Sequence, residues 1–310
     1  MSQEELLKRA LQLTLRHPIL WLLTLLAGEG AGGGSFSSSG GGSFRFQQPV
    51  GTNPAPRQLA AIVEWLVANW PLLIVVAAAA LVLTIVISCL AAGALYRAQV
   101  ALDSGAAFGP GDAWAAARNS FWRLLGLRVI SVVALGSPYL LLAGLTLFMY
   151  TAGGPSALGL ALLIDFSFLV FLGILALLAW PVLTLTTRSV VLEGHRPVAA
   201  LRATVGLVGR RPGRVGLTVA IAIGLGIAAG VGFSLVDTIV TLPFASTLFD
   251  AGRSLDLERI WAAALPILAV LVPISLLLGA VAGSFYSAYW TLSFRSFDTD
   301  PVPARPAWTS

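Results

Sequence analysis

The polar and apolar positions of this chain fall into a unit that repeats three times. Each unit opens with a short amphipathic segment carrying arginine and continues with a long apolar stretch, a gap and a second long apolar stretch. The amphipathic segments are Glu4 to Pro18, Gly111 to Leu127 and Pro197 to Pro212. In the first, Leu6, Leu7, Ala10, Leu11 and Leu13 recur at roughly helical spacing. The first and third end alike, in Arg16-His17-Pro18 and Arg210-Arg211-Pro212, and the middle one passes Arg118 and Arg123. The units also close alike, with Arg97 and Asp103, with Arg188 and Glu193, and with Arg295 and Asp298.

A helix needs about 20 apolar residues to cross roughly 30 Å of hydrocarbon. Five stretches meet this: Pro71 to Leu95, Leu127 to Tyr150, Leu163 to Thr186, Val215 to Ile239 and Ile260 to Tyr289. The first stretch, Pro18 to Ala27, covers only about 15 Å. To span, it must recruit Leu11 to Leu15, with Arg16 snorkelling to the interface, or run on into the glycines after Ala27. Pro138 predicts a kink, Gly153-Gly154-Pro155 a short turn, and Pro266 and Pro273 breaks in the last span. The pattern therefore predicts an all-α integral membrane protein, with six transmembrane helices as three hairpins, each preceded by a short amphipathic interfacial helix. Residues 1–298 form one domain and residues 299–310 a disordered cytoplasmic tail. The Gly/Ser-rich segment 28–57 reads as a flexible external loop.

Composition agrees. Charged residues are 11% of the chain and hydrophobic residues 57%, whereas soluble domains carry about a quarter charged residues. The net charge of +5 reads as membrane topology and gives no call for nucleic acid. Of 19 Lys and Arg, fifteen fall on one predicted side; only Arg45, Arg57, Arg253 and Arg259 fall on the other. By the positive-inside bias both termini are cytoplasmic, in a bacterial cytoplasmic membrane. Glu4 and Glu5 argue against a cleaved signal peptide. The single cysteine, Cys89, excludes a disulfide framework.

Candidate chemistry is sparse. Asp165 and Asp237 lie near the outer ends of their spans, as interfacial groups or as a buried proton site. Arg128 is the most internal arginine and reads as snorkelling. His17 and His195 stand at separate elbows, without a cysteine or carboxylate at metal-ligand spacing. Gly226 and Gly230 form a small-xxx-small face for close helix packing, with a dimer interface or substrate crevice as the alternatives. Arg202, Arg210, Arg211 and Arg214, beside Leu201, Val205, Leu207 and Val208, suit an interfacial helix that meets anionic lipid. No catalytic, cofactor or metal residues are assigned.

Arg9-Ala10, Arg16-His17-Pro18 with Leu20-Trp21-Leu22, the glycine-rich loop, and Arg188-Ser189-Val190-Val191-Leu192-Glu193-Gly194 followed by Ala199-Ala200-Leu201-Arg202 carry a family resemblance. With them the chain resembles uncharacterised bacterial six-span membrane proteins similar to the membrane domain of glycerophosphoryl diester phosphodiesterase. The resemblance implies a membrane bundle without the hydrolase. The expected function is a non-enzymatic membrane protein that meets lipid or supports envelope assembly, with a protein partner or a second copy as further partners. The alternative is a small secondary transporter using Asp165 and Asp237.

Overall fold

The computed structural model describes residues 2–29, 57–246 and 257–299. The body of the glycine/serine loop and the proposed tail beyond Thr299 lie outside the described residues. Every regular element described is helical. They are α1 (Gln3–Arg16), α2 (Ile19–Ala27), α3 (Arg57–Asp103), α4 (Pro110–Leu192), α5 (Pro197–Arg210), α6 (Pro212–Thr241) and α7 (Leu257–Thr299), with one 3-10 turn at Leu242–Phe244.

Five of the described helical stretches are long and apolar enough to cross a membrane: Glu64–Asp103, Pro110–Met149, Leu163–Leu192, Pro212–Phe244 and Ala264–Phe297. The count reaches six if the bent pair α1–α2 is taken as one span. The chain is an all-α membrane protein, and its first span departs from expectation. α1 and α2 meet at 102°, because Pro18 lacks an amide hydrogen and disfavours helical backbone at His17. Leu11 to Leu15 therefore do not continue along the axis of α2. Nor does α2 run into the glycines, since Gly28 adopts φ +71° and ends it. α2 is nine residues long, about 13.5 Å at helical rise.

Helical backbone continues from Pro110 to Leu192, yet Thr146 Oγ1 donates to Asp165 Oδ2 at 2.6 Å. Nineteen residues of straight helix would separate them by about 28 Å. The chain therefore reverses between these two residues, and α4 contains two antiparallel arms. The expected turn Gly153-Gly154-Pro155 lies in the reversing stretch, with helical backbone. The middle amphipathic segment, Gly111 to Leu127, is not a separate helix; it runs directly into the first arm. Pro266 and Pro273 sit inside α7 without ending it. In an apolar medium a released backbone group has no water to meet it, so the helix continues around a proline that would stop it in water.

The described chain divides into two compact units. One comprises Met1–Ala10, Ala92–Ile221 and Ala288–Ser310, and its most buried side chains include Leu6, Leu95, Tyr96, Leu185, Arg188, Tyr289 and Trp290. The other comprises Leu11–Ala91 and Ala222–Ser287. It buries mostly small side chains, among them Ala27, Ser88, Cys89, Ala222, Ala280, Ser284 and Ser287, which allow helices to approach closely. Ile74 to Thr84 in α3 are exposed on every face of the helix. A three-turn apolar cylinder of this kind requires lipid or another apolar surface around it.

Candidate functional site

Two polar clusters stand out, one in each unit. The first is the end of α2. Gly28 donates its amide to Leu25 O and Glu29 donates to Thr24 O. These are the paired bonds of a Schellman ending, which needs the left-handed residue that glycine supplies. The last carbonyl of the helix, Ala27 O, accepts from Ser88 Oγ at 2.6 Å. Glu29 turns its carboxylate to α7, where Ser287 Oγ donates to Oε2 at 2.7 Å. Glu29 is half-buried and Ser287 is fully buried. One helical turn before Ser287, Ser284 is also fully buried, and its hydroxyl has no hydrogen-bond partner.

Glu29, the second residue of the expected external loop, is thus half-buried and tied to α7, while Gly28 before it is exposed. Composition hid Glu29, because it stands next to a glycine-rich run whose sequence looks uniformly loop-like.

The second cluster surrounds Arg188, only 1% exposed. Its guanidinium lies 4.7 Å from the Tyr96 ring centroid, a cation–π placement that strengthens when desolvated. Nη1 donates to Thr184 O at 2.7 Å and Nε to Thr291 Oγ1 at 3.3 Å. Thr291 Oγ1 donates in turn to Gln99 Oε1 at 2.6 Å. Trp180 and Trp290 meet edge to face at 5.5 Å. Sequence reasoning counted Arg188 as a topology signal, whereas here it organises a core. Two other such arginines cap the carboxyl end of α4: Arg97 donates to Leu192 O at 3.3 Å and Arg123 to Gly194 O at 2.8 Å. Cations suit that end, where backbone carbonyls lack helical partners. Arg295 pairs with Asp103 at 3.3 Å.

His195 has a carboxylate neighbour within hydrogen-bond distance. Its Nδ1 lies 2.9 Å from Glu193 Oε2 and 3.0 Å from Ser189 Oγ, and Ser189 Oγ lies 2.5 Å from Glu193 Oε2. This is not a nucleophile relay, which uses opposite ring nitrogens for serine and acid. Here both neighbours share Nδ1, and the trio closes the last turn of α4 ahead of Gly194 at φ +71°.

The two aspartates of the apolar stretches fall in different units. Asp165 is half-buried and held by Thr146, while Asp237 is exposed. Arg128 is exposed and His17 half-buried. Among the described residues, a Cβ at Gly226 or Gly230, where close packing was expected, would meet nothing within 4 Å. The close approach occurs at Gly93, where a Cβ would fall 2.1 Å from Ser120 Oγ and 3.3 Å from Ala117 Cα. α5 buries Ala200 and Thr204, one turn apart, and leaves Arg196, Arg202 and Arg210 exposed, with Arg214 exposed just beyond it. No protein-family profile, curated protein or solved structure matches the chain.

Proposed function

We propose that this chain is a non-enzymatic multi-pass protein of a bacterial cytoplasmic membrane, with both termini cytoplasmic, whose arginine-rich face binds anionic lipid. The observation that carries this reading is α5. It turns one small-residue face inward and leaves Arg202 and Arg210, with Arg196 just before it, exposed. Juxtamembrane arginines of this kind attract anionic headgroups. The three-unit repeat, with α1 and α5 as interfacial helices, belongs to the same reading. In a mixed bilayer of anionic and zwitterionic phospholipid, gently extracted protein should retain the anionic species selectively by native mass spectrometry. Arg202→Gln with Arg210→Gln should lower that retention several-fold. Equal retention of both lipids by the wild type would remove the reading.

A second reading, a small secondary transporter, draws on the hydrogen bond that Thr146 donates to half-buried Asp165. It requires a proton- or cation-dependent flux that Asp165→Asn abolishes. A flux unchanged by that substitution would end the role of Asp165.

A further inference from the structure

From Val129 to Thr187 the chain carries a single charged residue, Asp165. The other titratable residues of that stretch are Tyr139 and Tyr150. A carboxylate among apolar helices is costly unless it is paired or takes up a proton. Among the described residues Asp165 makes no ion pair. Its one side-chain partner there is Thr146, whose Oγ1 lies 2.6 Å from Asp165 Oδ2 across the α4 hairpin. That is the short separation expected of a hydroxyl on a carboxylate.

The same Oγ1 lies 3.0 Å from Leu142 O, one turn back on its own arm. A threonine hydroxyl has one hydrogen and two lone pairs. It can give that hydrogen at full strength to only one of these acceptors at a time. The hydrogens can be placed in two ways. With Asp165 ionised, Thr146 donates to the carboxylate, and Leu142 O keeps the backbone bond of the helix. With Asp165 protonated, the carboxyl donates to Thr146 Oγ1, and the hydroxyl turns to Leu142 O. Each form satisfies both side chains, and passing between them needs no movement of the backbone.

We propose that Asp165 and Thr146 form a reversible proton-binding site, in which the Thr146 hydrogen turns between Asp165 Oδ2 and Leu142 O as the carboxyl releases and takes up a proton. The proton adds to Oδ2 and cancels the carboxylate charge; no other covalent bond forms or breaks. The site deepens the transport reading of Asp165 by naming its ion. Binding is measured at equilibrium, so a titrating carboxyl without flux ends transport and leaves the site in place.

The test records infrared difference spectra between high and low pH on the full chain in nanodiscs, where a protonated carboxyl shows its own C=O stretch. The wild type should show a pH-reversible component of this band that Asp165→Asn removes. Thr146→Val keeps the side-chain shape and removes the hydroxyl. It should move that component to higher frequency, because the acid O–H loses its acceptor. Thr146→Ser, which returns the hydroxyl, should restore the wild-type position. A carboxyl band that Asp165→Asn leaves unchanged at every pH at which the protein is folded overturns the proposal. A Thr146→Val spectrum identical to the wild type overturns it as well. Should Asp165→Asn fail to fold, the shift in Thr146→Val and its reversal in Thr146→Ser decide the matter, and the absence of either overturns the site.

Discussion

Arg16-His17-Pro18 and Arg210-Arg211-Pro212 each close an amphipathic helix and open an apolar one, but the helices that follow differ threefold in length. α2 stops after nine residues, at Gly28. α6 continues for 30 residues, through Gly224, Gly226, Gly230 and Gly232. Glycine content cannot be the reason, since α6 holds more of it. The difference lies in what awaits the helix end. At Gly28 a serine hydroxyl on α3 receives the last carbonyl and a serine on α7 receives the next side chain. Along α6 a Cβ at any of the four glycines would find nothing within 4 Å. Backbone groups released there would be left without partners in an apolar medium, so the glycines stay helical. A glycine ends a membrane helix only where other groups are placed to accept the ending.

The largest expected effect comes from removing that acceptance. Ser88→Ala leaves Ala27 O buried without its donor, a loss of about 1–3 kcal/mol. It should appear as a lowered melting temperature in detergent and as faster amide exchange at Gly28 and Glu29. An unchanged melting temperature would mean that the Schellman bonds alone hold the end. Next comes a matched pair of glycine substitutions. Gly28→Ala forces an L side chain into the left-handed region, about 1–2 kcal/mol unfavourable. Gly226→Ala places a methyl in open space on a helix and should be neutral or stabilising by up to about 1 kcal/mol. Equal effects of the two would dissolve the contrast between α2 and α6.

How much of this was legible in the sequence follows from the same physics. The long apolar stretches and both Arg-X-Pro breaks could be read directly, because apolar length and a missing amide hydrogen are local properties. Pro266 and Pro273 misled, because in a membrane helix neighbouring groups can satisfy the backbone carbonyl that a proline frees. Arg188 and Glu29 were missed as sites for a different reason. The partners that give them meaning, Thr291 and Ser287, are 103 and 258 residues away, and no spacing rule reaches that far. Asp165 was read as a possible proton site, and its partner Thr146 becomes visible only when the chain reverses within α4.

The smallest effect separates the two amphipathic helices. α1 opens with a reciprocal cap: Glu5 N donates to Ser2 Oγ at 3.2 Å and Ser2 N donates to Glu5 Oε2 at 2.9 Å. The Ser2 backbone amide, aided by the Ser2 hydroxyl, holds the Glu5 carboxyl below its ordinary value. A depressed carboxyl stabilises the folded helix above the unfolded value and loses that contribution as pH falls through the lowered one. α5 starts at Pro197 without a side-chain cap. Acidification should therefore fray the first turn of α1 and spare that of α5, as hydrogen exchange would show after correction for the intrinsic pH dependence of exchange. Ser2→Ala should weaken the acid response of α1.

The seat of Arg188 also sets a timetable for synthesis. The hydroxyl that accepts from its Nε belongs to Thr291, 103 residues downstream. At about 5–20 residues per second a ribosome needs roughly 5–20 s to add that stretch. Through that interval α4 is complete while its guanidinium lacks the contact from α7, and Trp180 lacks its stacking partner Trp290. Closure of this core thus waits until α7 has been made, and a nascent chain arrested before α7 would carry an unfinished arginine site.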